Sequence, residues 1–378
     1  MKKILCMILA LCLTVCFAGC KQNHTNPTVH GNGNNANPTQ ETSNNALQTE
    51  EDDTLIAVSV PAVTENTVAE DGTVLFAYTY QHMSLVLNKP EVADKVILDF
   101  LNRVDTTRET AETTAAMAKT AYTGSENWRP YLYHITYSPT RIDHTVLSLF
   151  GNNVVYSGAT HPERTCVSAS YDLQTGDVLT LASIMDMDAT AGDFCELVLA
   201  GLSEMAEGDY LYENYKQTVQ HRFGVDASSD EAWYFTQTGL CFYFAPYEIA
   251  PYASGVITVE IPYEKLDGLL HKDYFPAARK ATQGSVTITP FAQVDLEKIA
   301  HIAEIVLDRD GEMYMVQSDG HLQDVRLVLT DDAANYTVFA AYNLSPKNGI
   351  MVQAGQSLLS QMKLTYKSGS ETISTTIQ

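Results

Sequence analysis

Apolar and polar residues alternate along two stretches of the chain, Val154–Leu181 and Trp233–Tyr263, and each stretch breaks at turn residues. Alternation with a period of two is typical of half-buried antiparallel strands. Ile257, Val259 and Ile261 show the pattern most clearly, because all three fall on one face of a predicted strand. Both stretches therefore predict strands of a sheet that has one face in the core.

A different spacing follows Pro90. Apolar residues recur there at the period of a helix, namely Val92, Val96, Ile97, Phe100, Leu101 and Val104. This spacing predicts a long helix from about Glu91 to about Tyr122. Two further helices are predicted over Phe194–Met205 and Tyr210–Phe223.

These elements together predict an α+β fold, in which helices pack on one face of an antiparallel sheet. The composition changes after Phe275, and Ala277–Gly284 is a predicted linker. Residues 285–378 contain short strands and regular turn signals, which predict a small all-β, sandwich-like C-terminal domain. Asp310-Gly311 predicts a hairpin turn there, whereas Leu296–Leu307 fits either a helix or a strand.

The N-terminal residues predict an exported, membrane-anchored protein. Two lysines precede the uncharged run Ile4–Phe17, which is shorter than a membrane-spanning helix, and small residues precede Cys20. We expect residues 1–20 to be a lipoprotein signal peptide and Cys20 to be the lipidated residue, with an ordinary cleaved secretory signal as the alternative. Residues 21–53 are rich in Asn, Thr, Gln, Gly and Pro and predict a disordered tether. The predicted location is therefore the extracytoplasmic face of the cell membrane.

The charge balance restricts the partners of the chain. Lys and Arg total 23 against 46 Asp and Glu, so the net charge is −23. Such a balance argues against nucleic acid and against binding anionic lipid by charge. It favours a basic partner through electrostatic steering, although solubility alone is the other interpretation.

Cysteine and histidine usage points to no cofactor and no metal. Cys166, Cys195 and Cys241 fall in the predicted folded part, and an odd number gives no disulfide framework. We interpret them as small buried hydrophobes, with a Cys166–Cys241 disulfide as the alternative. No zinc-type spacing of Cys and His occurs.

His161 and Glu163 form the first candidate site. A His-x-Glu pair can ligate a metal or serve as acid and base, but spacing supplies no third ligand. The favoured interpretation is a loop histidine that bonds local backbone groups.

Tyr247, Glu248 and Tyr252 form the second candidate site, in a loop that Pro246 and Pro251 stiffen. Tyrosine makes a good contact surface at low entropy cost, so this loop is a candidate ligand-binding rim. A loop that only closes the domain, with its rings packed over the sheet, is the equal alternative.

Three segments carry a resemblance to known proteins: Tyr156–Pro162, Tyr171–Asp177 and Phe242–Gly255. Residues 141–276 resemble the extracytoplasmic domain of unknown function at the C-terminus of the anti-sigma factor RsiV. Residues 54–140 are similar to the domain that precedes it in RsiV and in the deacetylase PdaC. The resemblance implies an α+β fold and, in one branch, lysozyme binding. The chain has neither the membrane-spanning helix of RsiV nor the metal motif of the PdaC deacetylase domain, so neither of those activities is implied.

The sequence thus predicts a lipid-anchored binding protein without catalysis, whose partner is lysozyme or another cationic protein directed at the cell wall. A peptidoglycan- or glycan-binding module is the alternative. A cell-wall hydrolase that uses His161 or Glu248 is the least favoured hypothesis.

Overall fold

The computed structural model describes residues 54–124, 127–205, 210–223, 232–277, 281–330 and 335–377. The predicted signal peptide, Cys20 and the predicted tether lie outside the described residues. Within the ranges given above, no helix has both the length and the apolar character that crossing a bilayer requires.

The first part of the described chain forms a mixed sheet with one long helix. Its elements are β1 (Ala57–Ser59), β2 (Ala62–Val68), β3 (Val74–Gln81), β4 (Ser84–Val86), α1 (Pro90–Ala121), β5 (Tyr131–Ile142), β6 (Val146–Tyr156) and β7 (Glu163–Asp172). Five strands form one sheet in the order β2-β3-β5-β6-β7. β3 and β5 run parallel, unlike the antiparallel sheet expected, because α1 carries the chain back across the sheet before β5 begins.

Helix α1 confirms the longest helical prediction. Pro90 stands in its first turn, where the missing N–H costs no hydrogen bond. Its apolar stripe is buried on the sheet, with Val96 and Phe100 fully inaccessible to solvent. The Phe100 ring meets the Tyr137 ring edge-on at 5.2 Å, so this stripe fixes the helix on β5.

The next elements form a second, three-stranded sheet with its own helices, and this sheet packs against the five-stranded sheet. They are α2 (Leu181–Ile184), α3 (Met187–Met205), α4 (Tyr215–Arg222), β8 (Trp233–Phe235), β9 (Gly239–Phe244) and β10 (Ile257–Pro262). The three strands form a sheet in the order β10-β9-β8, and the alternating side chains predicted in β10 are buried. One contact between the two sheets comes from Phe150, whose ring stacks on Tyr234 at 4.4 Å. A short 3-10 turn over Tyr263–Lys265 follows β10.

The C-terminal part is rich in strands. Its elements are β11 (Val286–Pro290), β12 (His301–Val306), β13 (Glu312–Ser318), β14 (Leu322–Thr330), β15 (Asn335–Leu344), β16 (Asn348–Ala354), α5 (Gln356–Leu359), β17 (Met362–Ser368) and β18 (Glu371–Thr376). They form sheets in the orders β18-β17-β14-β15-β1-β4 and β11-β13-β16-β12. Residues of both sheets, such as Val325 and Val352, share one buried core, as in a sandwich. The predicted α+β class with a β-rich C-terminal region is confirmed.

Two local predictions need correction or completion. The hairpin at Asp310-Gly311 is wrong, because β12 and β13 do not pair with each other. Both flank β16, which β12 joins in parallel and β13 in antiparallel orientation. A turn dipeptide indicates that the chain reverses direction. It does not determine whether the two connected strands pair with each other or with a third strand that lies between them. The undecided segment Leu296–Leu307 is a 3-10 turn followed by β12.

Strand pairing joins parts of the chain that are far apart in sequence. β1 lies between β15 and β4, and Val58 pairs with Ala340 and Leu85. Arg326 on β14 donates hydrogen bonds to the carbonyl oxygens of Pro139 (2.7 Å) and Thr140 (3.0 Å). The division into 54–140, 141–276 and 285–378 stays a prediction, and these contacts run across its boundaries.

Candidate functional site

Two loops that are remote in sequence bring three of the predicted site residues together. His161, between β6 and β7, lies with its ring centroid 4.6 Å from that of Tyr252, which follows β9. The Tyr252 ring in turn lies 5.5 Å from the Tyr247 ring. We call these three side chains the aromatic face. His161 and Tyr247 are exposed and Tyr252 is half-buried, so the face is open to a partner.

Tyr247 has the most unusual backbone conformation of the three residues. Its φ of 72° lies in the left-handed region, which a bulky side chain rarely adopts. The loop holds it there with two backbone bonds, Tyr247 N–H to the Ala250 carbonyl (3.0 Å) and Glu248 N–H to the Ala245 carbonyl (3.1 Å). The side chain remains 58% exposed, although a large apolar ring gains energy from burial. A strained residue that presents an exposed ring is typical of a functional position.

Glu248 is placed differently from the tyrosines beside it. One carboxylate oxygen pairs with the Arg222 guanidinium, and the other accepts a hydrogen bond from the Ala245 N–H at 2.9 Å. Arg222 also donates to the Tyr243 carbonyl (2.8 Å) and lies 4.4 Å above the Phe244 ring. Burial lowers the pKa of Arg222, and the charge of Glu248 opposes that effect. Glu248 therefore acts inside the loop and shapes it, while Tyr247 is the residue presented.

His161 and Glu163 do not form a ligand pair with a third group. The Nδ1 atom of His161 lies 3.3 Å from the Pro162 carbonyl oxygen, a local backbone contact of the kind that the sequence predicted. The Tyr252 hydroxyl donates to the same oxygen at 2.9 Å, which ties the two loops together. Glu163 is exposed at the start of β7. In the part of the chain that the structure describes, no three His, Cys, Asp or Glu side chains gather in a way that would hold a metal ion.

The three cysteines of the folded part are free thiols, so the alternative of a Cys166–Cys241 disulfide is not observed. Cys195 and Cys241 are buried and Cys166 is half-buried. Burial raises the pKa of both Cys166 and Cys241 to about 11. These thiols are poor nucleophiles at neutral pH, because the thiolate is the reactive form.

Arg141, which was not identified from the sequence, is a buried arginine whose hydrogen bonds connect the elements that support this region. Arg141 is fully buried, and its Nε donates to the Asp143 carboxylate at 2.7 Å. Its Nη1 donates to the Tyr263 hydroxyl (2.7 Å) and to the Tyr274 carbonyl (2.6 Å). The Arg141-Ile142-Asp143 spacing at the end of a strand was the available signal, since it places two opposite charges on one face.

The fold and the site define an α+β protein with an exposed aromatic surface on two adjoining loops. Within it, residues 188–264 match a family described as a protein of unknown function (DUF3298). RsiV-like domains carry this family domain, so the predicted resemblance is confirmed at that level. The matched segment includes Phe242–Gly255 but neither of the two earlier motifs, and the RsiV and PdaC specifics stay predictions.

The solved structures that are similar to this chain include two of the DUF3298 family. One is a member of the DUF3298 family from Bacteroides fragilis NCTC 9343, with 18% identity and a TM-score of 0.44, over 58% of this chain and 94% of that chain. The other is a DUF3298 family protein from Pseudomonas aeruginosa PAO1, with 13% identity and a TM-score of 0.40, over 60% of this chain and all of that chain. No curated protein matches the chain.

Proposed function

We propose that this protein is a lipid-anchored recognition protein on the extracytoplasmic face of the cell membrane, and that it binds a cationic, lysozyme-like protein without catalysing a reaction. The observation that carries the proposal is Tyr247, which is 58% exposed and held at a positive φ by its own loop. Such a residue costs stability, and binding to a partner is a function that accounts for the cost.

The aromatic face has the composition of a binding hot spot. Tyrosine is enriched at the centre of interfaces, where it buries a large area and loses little side-chain entropy. The tilted contact between the Tyr247 and Tyr252 rings, together with the ion pair that Glu248 of the same loop forms with Arg222, fixes the surface before a partner arrives. A surface fixed in advance loses less entropy on binding.

Net charge supports a cationic partner. The chain carries −23 at neutral pH, and Glu163 lies exposed beside the aromatic face, one residue after Pro162. A strongly negative protein attracts a positive one over a distance of about a Debye length and raises the association rate. The affinity would then come from the aromatic rings that become buried on binding, and the negative charge would raise the association rate.

Calorimetric titration with lysozyme tests the proposal. We expect binding at low ionic strength that weakens as salt is added, and Tyr247→Asn should reduce the affinity by at least about tenfold. Asparagine tolerates the left-handed backbone, so this variant removes the ring and keeps the loop. Leu98→Asn is the matched control, because Leu98 is 60% exposed on α1, away from the aromatic face. The lysozyme proposal is wrong if no heat of binding is seen at low salt, or if both variants bind equally well.

Binding of a cell-wall glycan is the second candidate, and the ring arrangement is the observation that favours it. Tyr247 and Tyr252 are tilted by 33° to each other and offer aromatic faces to a sugar ring. Sugar stacking depends little on salt, unlike charge-driven association. Sedimentation with purified cell wall that persists at high salt and disappears in Tyr247→Asn would favour this candidate over a protein partner.

The proposed anchor has its own test. Mass spectrometry of the membrane fraction should find the lipid on Cys20, and Cys20→Ala should release the protein into the medium. A Cys20→Ala variant that stays in the membrane fraction would contradict lipid anchoring at this residue.

A further inference from the structure

A pocket of about 170 Å³, lined by both polar and apolar side chains, lies between the β2–β3 pair and helix α1 and shares no residue with the aromatic face. β2 contributes Glu65 and Thr67 to its wall, β3 contributes Phe76 and Tyr78, and α1 contributes Arg108 and Glu112. Nothing in the proposed function uses this pocket.

Arg108 is held in place inside the pocket by aromatic rings and a carboxylate. Its guanidinium lies 5.4 Å from the ring centroid of Tyr78 and 5.3 Å from that of Tyr80, and the two rings stack at 4.8 Å. Its Nη1 lies 3.5 Å from Glu65 Oε2, while the Tyr80 hydroxyl donates to Glu65 Oε1 at 2.6 Å. Arg108 and Glu65 therefore neutralise each other within a fixed array.

This arrangement leaves the charge of Glu112 uncompensated. Glu112 stands four residues after Arg108 on α1, the spacing at which an ion pair forms on a helix. Arg108 instead turns toward Glu65 and the two tyrosines, and Glu112 has no ion-pair partner among the described residues. With Glu65 and Glu112 against Arg108, the pocket has a net negative charge.

The pocket adjoins a sheet edge that is open to pairing. β2 ends the five-stranded sheet and, among the residues that the structure describes, pairs only with β3. Four consecutive residues of β2, from Val63 to Asn66, are exposed, and Thr67 is half-buried where it meets the pocket. An exposed edge strand presents N–H and C=O groups to which an extended chain can add, and side-chain pockets beside such an edge select the sequence that adds.

We propose that an extended basic peptide segment adds to β2 as a further strand and places a lysine or arginine side chain in this pocket, against Glu112. The cation would lie near the Phe76 ring that lines the pocket, and the uncompensated charge of Glu112 would pair with it. Backbone bonds to β2 supply sequence-independent affinity, and the pocket selects the basic residue.

Titration of the full-length protein with a synthetic peptide in which lysine alternates with valine tests this site. We expect binding that falls about tenfold in Glu112→Gln, which corresponds to the loss of one charge-assisted contact. Glu109→Gln is the matched control, because it removes the same charge from the same helix at an exposed position outside the pocket. A peptide in which glutamate alternates with valine should not bind.

Hydrogen exchange locates the peptide independently of affinity. On binding, amide exchange should slow within Ala62–Val68 and stay unchanged in the loop around Tyr247. Tyr247→Asn should leave peptide binding unchanged, so failure of the aromatic-face proposal and failure of this one are separate results. Equal losses in Glu109→Gln and Glu112→Gln, protection elsewhere than β2, or no binding at low salt would each overturn the proposed peptide site.

Discussion

The Arg141 guanidinium donates a hydrogen bond of 2.7 Å to the hydroxyl of Tyr263, a residue 122 positions further along the chain. Arg141 ends β5 of the five-stranded sheet, and Tyr263 follows β10 of the three-stranded sheet. The Tyr263 hydroxyl also donates to the Thr236 carbonyl oxygen at 3.1 Å. This one buried contact therefore joins the two sheets that support the aromatic face.

Arg141→Met should strongly destabilise the protein. The substitution removes the charge that pairs with the buried Asp143 and leaves that carboxylate without compensation. Breaking a buried ion pair in this way costs about 3–5 kcal/mol. Chemical denaturation of the variant should show that loss of unfolding free energy, while Arg309→Met, at an exposed arginine, should change it by less than about 0.5 kcal/mol. Equal effects of the two substitutions would contradict the role assigned to Arg141.

Stability should fall between pH 10 and pH 12, in part through Tyr263. Burial raises its pKa to about 12, from 10.0 for an exposed tyrosine, and Arg141 partly opposes that rise. Because the folded-state pKa is the higher one, this contribution is fully present below pH 10 and is lost as the pH rises to 12. The loss for this group is about 2–3 kcal/mol. Urea unfolding of the wild type and of Tyr263→Phe across this range should give a shallower alkaline decline in the variant, and parallel declines would show that Tyr263 does not ionise on unfolding.

Tyr247→Asn should raise stability while it weakens binding. Asparagine occupies the left-handed region at lower cost than tyrosine, so the free energy of unfolding should increase by about 0.5–1 kcal/mol. Thermal or urea unfolding measures this change directly. Tyr247→Phe keeps both the ring and the strain, so it should match the wild type in stability. A loss of stability in Tyr247→Asn would mean that the ring is a structural contact rather than a presented one.

Glu248→Ala should lower stability, unlike Tyr247→Asn, and should also weaken binding. Arg222, of which 14% of the side chain is exposed, would lose its carboxylate partner, and the Ala245 N–H would lose its acceptor. We expect a loss of about 2–3 kcal/mol in unfolding free energy, together with weaker partner binding because the loop loses its shape. Glu163→Ala, which removes an exposed glutamate from the same surface, is the control. Unchanged stability in Glu248→Ala would instead assign Glu248 to direct contact with the partner.

The buried thiols should resist alkylation at neutral pH. Burial raises the pKa of Cys166 and Cys241 to about 11, so less than about one thiol in a thousand is ionised at pH 7. Native labelling with iodoacetamide should therefore be slow, and its rate should rise by about tenfold for each pH unit below that pKa. Labelling in denaturant gives the fully reactive reference. Fast labelling of the native protein at pH 7 would contradict the buried environment.

The spacing of apolar residues predicted those elements in which buried residues recur at a regular interval. The stripe around Val96 and Phe100 identified α1, and Ile257, Val259 and Ile261 identified β10, because in each case one face of the element is in the core. The same reasoning failed at Asp310-Gly311. Which strand enters between two others depends on residues 34 to 47 positions away, and no turn dipeptide contains that information.

The composition of the aromatic face was predictable, but its assembly was not. The sequence identified Tyr247 and Tyr252 as candidates because a proline precedes each of them, and His161 because it lies in a loop between two predicted strands. Their contact depends on the Tyr252 hydroxyl reaching the Pro162 carbonyl, a tertiary hydrogen bond across ninety positions. The inward role of Glu248 depends in the same way on Arg222, which no local spacing links to it.

The position of β1 between β4 and β15 imposes an order on assembly. During synthesis Ala57–Ser59 meets β4 within a few dozen residues, yet its other side stays unpaired until Asn335–Leu344 emerges. Contacts of such long sequence separation form slowly and late. The six-stranded sheet is therefore completed only when almost the whole polypeptide has been synthesised. A chain truncated before β15 leaves one edge of β1 without a hydrogen-bonded partner strand.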